Sequence, residues 1–336
     1  MSTSMMTAGH RLLQDVERSV HRRVVGQDGT IRGLLIAMLT GGHVLLEGLP
    51  GLAKTLLVRS IADALHTTFR RIQFTPDLLP GDVIGVPVYH QGTGEFRVFK
   101  GPVFANLLLA DEVNRAPPKV QSALLEAMEE GQVTIDGTTY PLPSPFLVLA
   151  TQNPIEQQGT YPLAEAQLDR FMLKLRIEYP NREEEREILQ RIALSPAGSD
   201  GSLPEHEPAP GESASEASDE AVLEARKELD GVTLDLKIQE YIVRLVFATR
   251  EPVEAGLPEF KNLIEFGTSP RATIFLARAA RALAYLEGRD FVLPDDVKSV
   301  AYPVLRHRLR TTYEADAKGI DPDQLIDRLL ATVPSP

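Results

Sequence analysis

The sequence predicts an α/β protein, with a parallel sheet flanked by helices followed by a second domain built of helices. Three observations carry that expectation. Through the first half of the chain short apolar runs alternate with segments of helical periodicity, the pattern of strands that return to one sheet through crossover helices. After Pro180 the apolar residues recur at helical spacing alone. Between the first apolar run and the helix after it lies a glycine-containing turn, GLPGLAKT at residues 48–55, where α/β folds present backbone amides to phosphates. A chain of 336 residues is long for one domain and comfortable for two. The boundary is expected at residue 180, with a core over 1–180 and a helical domain over 181–336.

The core strands are expected at residues 43–46, 69–74, 106–110, 146–151 and 173–177. Two further pairs of alternating segments read as β-hairpins added to that sheet. VPVYHQGTGEFRVFK, residues 86–100, turns on glycines, and QVTIDGTTYPL, residues 132–142, turns on Asp136-Gly137, a pair suited to a type I′ turn. Past Pro180, Asn181 and Glu184 have capping-box spacing ahead of Ile188, Leu189 and Ile192. Ile238, Tyr241, Ile242, Leu245 and Val246 mark another helix, and one more starts at Ser269-Pro270 with Leu276, Ala279, Ala280 and Leu283 on one face. The segment from about residue 196 to 220 is poor in large apolar side chains and rich in Pro, Ser, Gly and acid. It is expected to be a disordered insertion, because it buries too little to offset its ordering entropy.

Composition removes several classes of function. With 35 basic and 47 acidic residues the net charge is −12, which argues against a general grip on nucleic acid or anionic lipid. Cysteine is absent and the seven histidines show no metal-binding spacing, so thiolate chemistry, disulfides and familiar zinc motifs drop out. The longest uncharged stretch, residues 33–46, is too short to span a bilayer. The amino terminus lacks the basic start and apolar run of a signal peptide, so a cytoplasmic location is expected.

GLPGLAKT nearly matches the phosphate-binding pattern G-x-x-x-x-G-K-[ST], with Ala53 where the second glycine belongs. In that pattern the backbone of Gly48, Leu49, Pro50, Gly51, Leu52 and Ala53 wraps phosphates, Lys54 reaches the β and γ phosphates and Thr55 ligates Mg²⁺. Ala53 is tolerated if its backbone is right-handed. A lysine in a first helical turn opposes the helix dipole, a placement that makes sense opposite an anion. NLLLADE sets Asp111 and Glu112 at the carboxyl end of a buried strand, where Asp111 would hold the hydrated Mg²⁺ and Glu112 would act as general base toward water. FLVLATQNP ends in Asn153, which reads either as a group that orients the water or as a turn residue before Pro154. Arg170 in LDRF reads as a surface ion pair or as an arginine given to a neighbouring subunit's γ phosphate. Arg271, in the first turn after Ser269-Pro270, again has the wrong sign for the dipole.

Taken together and in this order, GLPGLAKT, LLLADE, ATQNP, LDRF and SPRA resemble the motifs of AAA+ ATPases, and most closely the MoxR family in the branch that carries an extra hairpin within helix 2 and another before sensor 1. VVGQD, DEVNRAPPKVQSALLEAMEEGQVTIDG and NPIEQQGTYPLAEAQLDRF carry the same resemblance, which covers roughly residues 10 to 315. That family commonly has alanine at the position of Ala53. The resemblance implies a P-loop AAA+ core with a helical lid, Walker A at Lys54 and Thr55, Walker B at Asp111 and Glu112, sensor 1 at Asn153 and sensor 2 at Arg271. It adds Val25 and Gly26 to the nucleotide-binding residues. It makes Arg170 the arginine finger, with Arg115 as the other arginine placed to act between subunits. Its further implications are ATP and Mg²⁺ as cofactors, a homo-oligomeric, hexameric ring, and a protein client, among them von Willebrand A-domain proteins or partners in metal insertion. The acidic segment near 196–220 has no counterpart in the family pattern.

A nucleic-acid motor is the competing reading, since hairpin-bearing relatives of this branch include helicases. The net charge opposes it, and the best basic cluster, RHRLR at 306–310, reads more simply as a solvated helix end. A GAFTGA loop and a guanine-reading [NT]KxD motif are both absent, which disfavours a sigma-54-type activator and GTP. A nucleotide-binding scaffold without turnover sits poorly with Glu112.

Overall fold

The computed structural model describes residues 7–49, 51–92, 94–153, 159–192 and 216–336. Pro50 of the predicted loop and residues 196–215 of the predicted insertion lie outside them. The chain begins with α1 (Ala8–Arg23), α2 (Asp28–Thr40), β1 (Val44–Glu47), α3 (Lys54–Leu65), β2 (Phe69–Gln73), α4 (Pro80–Ile84), β3 (Gly85–His90) and β4 (Glu95–Lys100). It continues with β5 (Leu107–Asp111), α5 (Pro118–Glu130), β6 (Gln132–Ile135), β7 (Thr138–Pro141), β8 (Leu147–Gln152), α6 (Glu165–Leu168) and β9 (Leu173–Arg176). The remainder is α7 (Arg182–Ile192), α8 (Glu216–Leu229), α9 (Leu236–Arg250), β10 (Ile264–Phe266), α10 (Pro270–Leu286), α11 (Pro294–Leu305), β11 (Arg310–Thr311), α12 (Tyr313–Ala317) and α13 (Pro322–Thr332).

The central strands are apolar on both faces, so helices must cover both. Alternate residues enter different cores: Val44 and Leu46 of β1 pack with α1, α2 and α3, while Leu45 packs with α5 on the other side. The sheet order is β2-β5-β8-β1-β9, with every neighbouring pair parallel. Register aligns Gln73 with Asp111, and Glu47 with both Gln152 and Arg176. One edge of the sheet therefore collects the carboxyl ends of the strands, where the predicted nucleotide groups lie. The two predicted hairpins form as β3–β4 and β6–β7, and Lys100 lies over the rings of Phe104 and Tyr140, joining them.

His43 closes the opposite edge. Its Nδ1 accepts from the Val148 amide at 3.0 Å and its Nε2 donates to the Met128 carbonyl at 3.0 Å, which fixes a neutral imidazole. Burial lowers its pKa to about 4. Because the folded value lies below the ordinary 6.5, the contribution of His43 to stability is complete above about pH 6.5 and is lost as pH falls through 4. The full effect is about 3 kcal/mol. Urea unfolding at pH 7 and pH 4.5 is expected to show this loss, and His43→Gln is expected to flatten that part of the profile.

Two expectations need correction. Residues 216–220, assigned to the disordered insertion, begin α8. Acidic residues resemble linker in composition, but Asp219 is held against the sheet rather than left in solvent. This helix packs on α1 and α2 and also touches α10, where Arg281 donates to the Leu229 carbonyl at 2.8 Å. Asp219 accepts from Thr67 Oγ1 at 3.0 Å and Asn106 Nδ2 at 3.3 Å, and Arg226 donates to the Met38 carbonyl through two nitrogens.

The second correction is RHRLR, which is not a solvated helix end. Arg308 is 1% exposed at its side chain and pairs with Asp169 at 2.8 Å, while Arg306 pairs with Asp323 at 3.1 Å. His307 bonds the Phe171 carbonyl at 2.9 Å, and Arg310 pairs with Glu165 and Glu265. Each basic group faces a partner across the boundary between core and lid, or within the lid. Among the described residues no helix is long and apolar enough to cross a membrane.

Candidate functional site

β1 ends at Glu47, the chain turns through Gly48 and Gly51, and α3 starts at Lys54. Gly51 has a φ of 83°, a left-handed angle that glycine adopts without strain. A side chain at Gly48 would meet the Ile177 carbonyl at 3.0 Å and Lys54 Cε at 3.4 Å, so the loop is closely seated on the extension of β9. Ala53 departs from the expected right-handed backbone: its φ is 54° and ψ is 27°. It occupies the residue before the helix, where the turn requires the left-handed region whatever the side chain.

A left-handed alanine carries about 1–2 kcal/mol of strain, of which about 0.4–1 kcal/mol returns as unfolded-state entropy when glycine replaces it. Ala53→Gly is therefore expected to raise folding stability by about 0.5–1 kcal/mol and leave nucleotide affinity unchanged. Ala53→Val should lower stability. Paired thermal melts check both directions.

The Lys54 ammonium donates to the Gly48 carbonyl. Burial pushes its pKa down, while the charges of Asp111 and Glu112 oppose that shift. Lysine and both carboxylates therefore act on one another across the sheet edge. Thr55 follows in the first turn of a helix with no acidic residue in that turn, so no carboxylate of α3 itself offsets the helix's positive end.

Asp111 is the last residue of β5 and Glu112 leaves the strand with a φ of 55°. Thr151 links the two, accepting from the Glu112 amide at 2.8 Å and donating to Asp111 Oδ1 at 2.6 Å. Arg71 holds the other oxygen of Asp111, with Nη2 at 2.6 Å. The Glu112 carboxylate takes Gln73 Nε2 at 2.7 Å and Arg115 at 3.0 Å. Arg115 thus stands at its own chain's acidic pair. Asn153 is buried one residue beyond β8, next to the end of β1. Sequence reading missed Arg71, Gln73 and Thr151. For Arg71 and Gln73 the available signal was FRRIQF, in which the two stand two residues apart, hence on one face, of a strand that runs to the same edge.

Val25 and Gly26 precede α2, and Gln27 reaches across to the Glu178 carbonyl at 2.9 Å. Beside Gln27 a cavity of about 590 Å³ opens between core and lid, lined by Thr30, Glu178, Tyr179, Tyr302 and Arg306. Its volume suits a nucleoside-sized group.

Arg170 and Arg271 are elsewhere. Both pair with Glu129, Arg170 at 2.7 Å and Arg271 at 2.6 Å. Glu129 follows Met128, whose carbonyl bonds the ring of His43 at the amino end of β1. The two arginines therefore lie at the sheet edge opposite Lys54, Asp111 and Glu112, a strand length of roughly 13 Å or more away. Neither reaches the loop between β1 and α3 of its own chain.

The model of the ATPase family associated with various cellular activities matches residues 43–173, and the AAA lid domain matches residues 260–329. Among curated proteins the chain is 49% identical to the chaperone MoxR1 of Mycobacterium tuberculosis, over 94% of this chain and 80% of that one. It is 35% identical to the MoxR protein of Paracoccus denitrificans over 97% of each chain. A crystal structure from Cytophaga hutchinsonii, described as a proposed ATPase, superposes with a TM-score of 0.86 at 49% identity, covering 97% of this chain and 95% of that one.

Proposed function

Because the chain belongs to the MoxR family of AAA ATPases, we propose that it hydrolyses ATP with Mg²⁺ at sites shared between neighbouring copies in a hexameric ring, and that the ring remodels a partner protein. The observation that carries this reading is the division of the catalytic set between two edges of one sheet. Lys54, Asp111 and Glu112 act on one another at the carboxyl edge, while Arg170 and Arg271 share Glu129 at the amino edge. A head-to-tail ring brings unlike edges of successive copies together.

In this reading the loop from Gly48 to Thr55 holds the phosphates, and the cavity beside Gln27 takes the base and ribose next to Val25 and Gly26. Asp111 and Thr55 would hold Mg²⁺, which would supply positive charge to the phosphates when bound. Glu112 takes a proton from the attacking water, with Asn153 orienting it. Mixing inactive Arg170→Ala with inactive Lys54→Ala protein is the test. Restored hydrolysis supports a shared site, and no rescue despite demonstrated subunit exchange sinks it.

The protein client docks on the β3–β4 hairpin. Tyr89 and Phe96 are 53% and 69% exposed with rings 5.3 Å apart, and Phe99 is 72% exposed. Tyr89 and Phe96 are cross-strand partners on one face, and Phe99 with Val86 lies on the other, so exposed apolar groups flank the hairpin, the kind of surface that marks an interaction site. A client of von Willebrand A type or a partner in metal insertion, and a cytoplasmic location, complete the proposal. Replacing Tyr89 and Phe96 with serine is expected to reduce ATP-dependent remodelling of a client at least several-fold while basal hydrolysis persists. Remodelling at the wild-type rate, or hydrolysis stimulated by single-stranded DNA and no protein, would hand the argument to the nucleic-acid motor. Against that motor stands RHRLR, whose arginines are each paired with a carboxylate of the protein.

A further inference from the structure

Glu129 lies in the last turn of α5, in the run EAMEEG. A carboxylate there meets the negative end of the helix dipole and is disfavoured. Its two oxygens are divided between two segments distant in sequence: Oε2 takes Arg170 Nη2 at 2.7 Å and Oε1 takes Arg271 Nη2 at 2.6 Å. Asp169 approaches Arg271 only at 4.0 Å and is already committed to Arg308 and Ser269, each at 2.8 Å. Side-chain exposures of 39% for Glu129, 32% for Arg170 and 41% for Arg271 leave the group open to a second copy of the chain.

We propose that Glu129 is a positioning residue that holds Arg170 and Arg271 side by side as one clamp for the γ phosphate bound in the neighbouring copy. This rests on the shared-site reading. Two guanidinium groups brought this close repel unless an anion lies between them. Glu129 supplies that anion through one ion pair to each, and each guanidinium has five N–H donors. The remaining donors stay available for phosphate oxygens in the planar, forked geometry that arginine offers. One carboxylate therefore fixes one arginine from the core and one from the lid in a common frame. Glutamine cannot do the same, because its amide presents one acceptor oxygen and turns its NH₂ donors toward the second arginine.

The test uses full-length Glu129→Gln and Glu129→Asp proteins, with kcat, KM for MgATP and ring mass measured together. Glu129→Gln is expected to lower kcat about tenfold, which is about 1.4 kcal/mol, with KM within about twofold and ring mass unchanged. Glu129→Asp keeps the charge and should fall between the two. The defect must also be relieved in trans: mixing Glu129→Gln with Lys54→Ala subunits should raise activity above that of Glu129→Gln alone, since Lys54→Ala copies donate an intact clamp. A kcat within twofold of wild type, in protein where Arg170→Ala and Lys54→Ala do complement, overturns the role of Glu129 and leaves the shared site standing. A kcat defect that mixing fails to relieve, or that accompanies loss of the ring, shows a local structural role and overturns it as well. Failure of the Arg170→Ala and Lys54→Ala pair to complement removes the shared site first.

Discussion

Glu112→Gln is expected to bind MgATP as tightly as the wild type and to lose turnover by about 10²–10⁴, the range a positioned general base contributes. The side chain leaves β5 from a left-handed backbone at φ 55°, a conformation that costs a non-glycine residue energy and clusters at functional sites. Its carboxylate is fixed by Gln73 at 2.7 Å and Arg115 at 3.0 Å, and its amide by Thr151 at 2.8 Å. Glutamine has the same shape and keeps the amide bond to Thr151, so the loop around Lys54 should not move. What disappears is the basic oxygen. Equilibrium binding of a labelled nucleotide and steady-state phosphate release, measured on one preparation, separate the two effects. Wild-type turnover in this variant removes Glu112 as the base, whereas lost affinity assigns it to binding.

That site was legible in sequence to the extent that its residues are local. GLPGLAKT and LLLADE could be read because strand, turn and helix are consecutive, and because a strand buried on both faces is a short apolar run. The hairpins were legible for the same reason, their turns being marked by glycine. Thr151, Gln73 and Arg71 were not, because what brings them to Asp111 and Glu112 is parallel register across strands about forty residues apart. Glu129 posed a similar problem: in EAMEEG it reads as one more acid on a helix, and only the fold shows two arginines on it. RHRLR and α8 failed in another way. Composition cannot distinguish a charged residue facing water from one facing a partner, so Arg308 looked exposed and Asp219 looked like linker. The left-handed angle of Ala53 was hidden because a side chain does not announce its backbone region unless it is glycine or proline.

Arg170→Ala is expected to reduce kcat by about 10³–10⁵, the contribution of an arginine that stabilises charge on a transferring phosphoryl group. The effect should appear in kcat with little change in KM, because the arginine engages charge that develops in the transition state. In the proposed shared site the loss is intermolecular, because Arg170 pairs with Glu129 at 2.7 Å on the edge of the sheet away from Lys54. In that reading Lys54→Ala loses the ammonium proposed to bind phosphate and still presents Arg170 to its neighbour. In an equal, random mixture of the two variants, an interface works only when an Arg170→Ala copy binds the nucleotide and a Lys54→Ala copy follows it. About one interface in four meets that condition in a closed head-to-tail ring. Recovery should approach one quarter of wild-type activity if sites fire independently, and should fall well below that if hydrolysis passes in sequence around the ring. Activity should scale with the product of the two subunit fractions and peak at equal mixing. Residual activity that scales instead with the fraction of either variant alone would place both groups in one chain's site, contrary to their separation across the sheet.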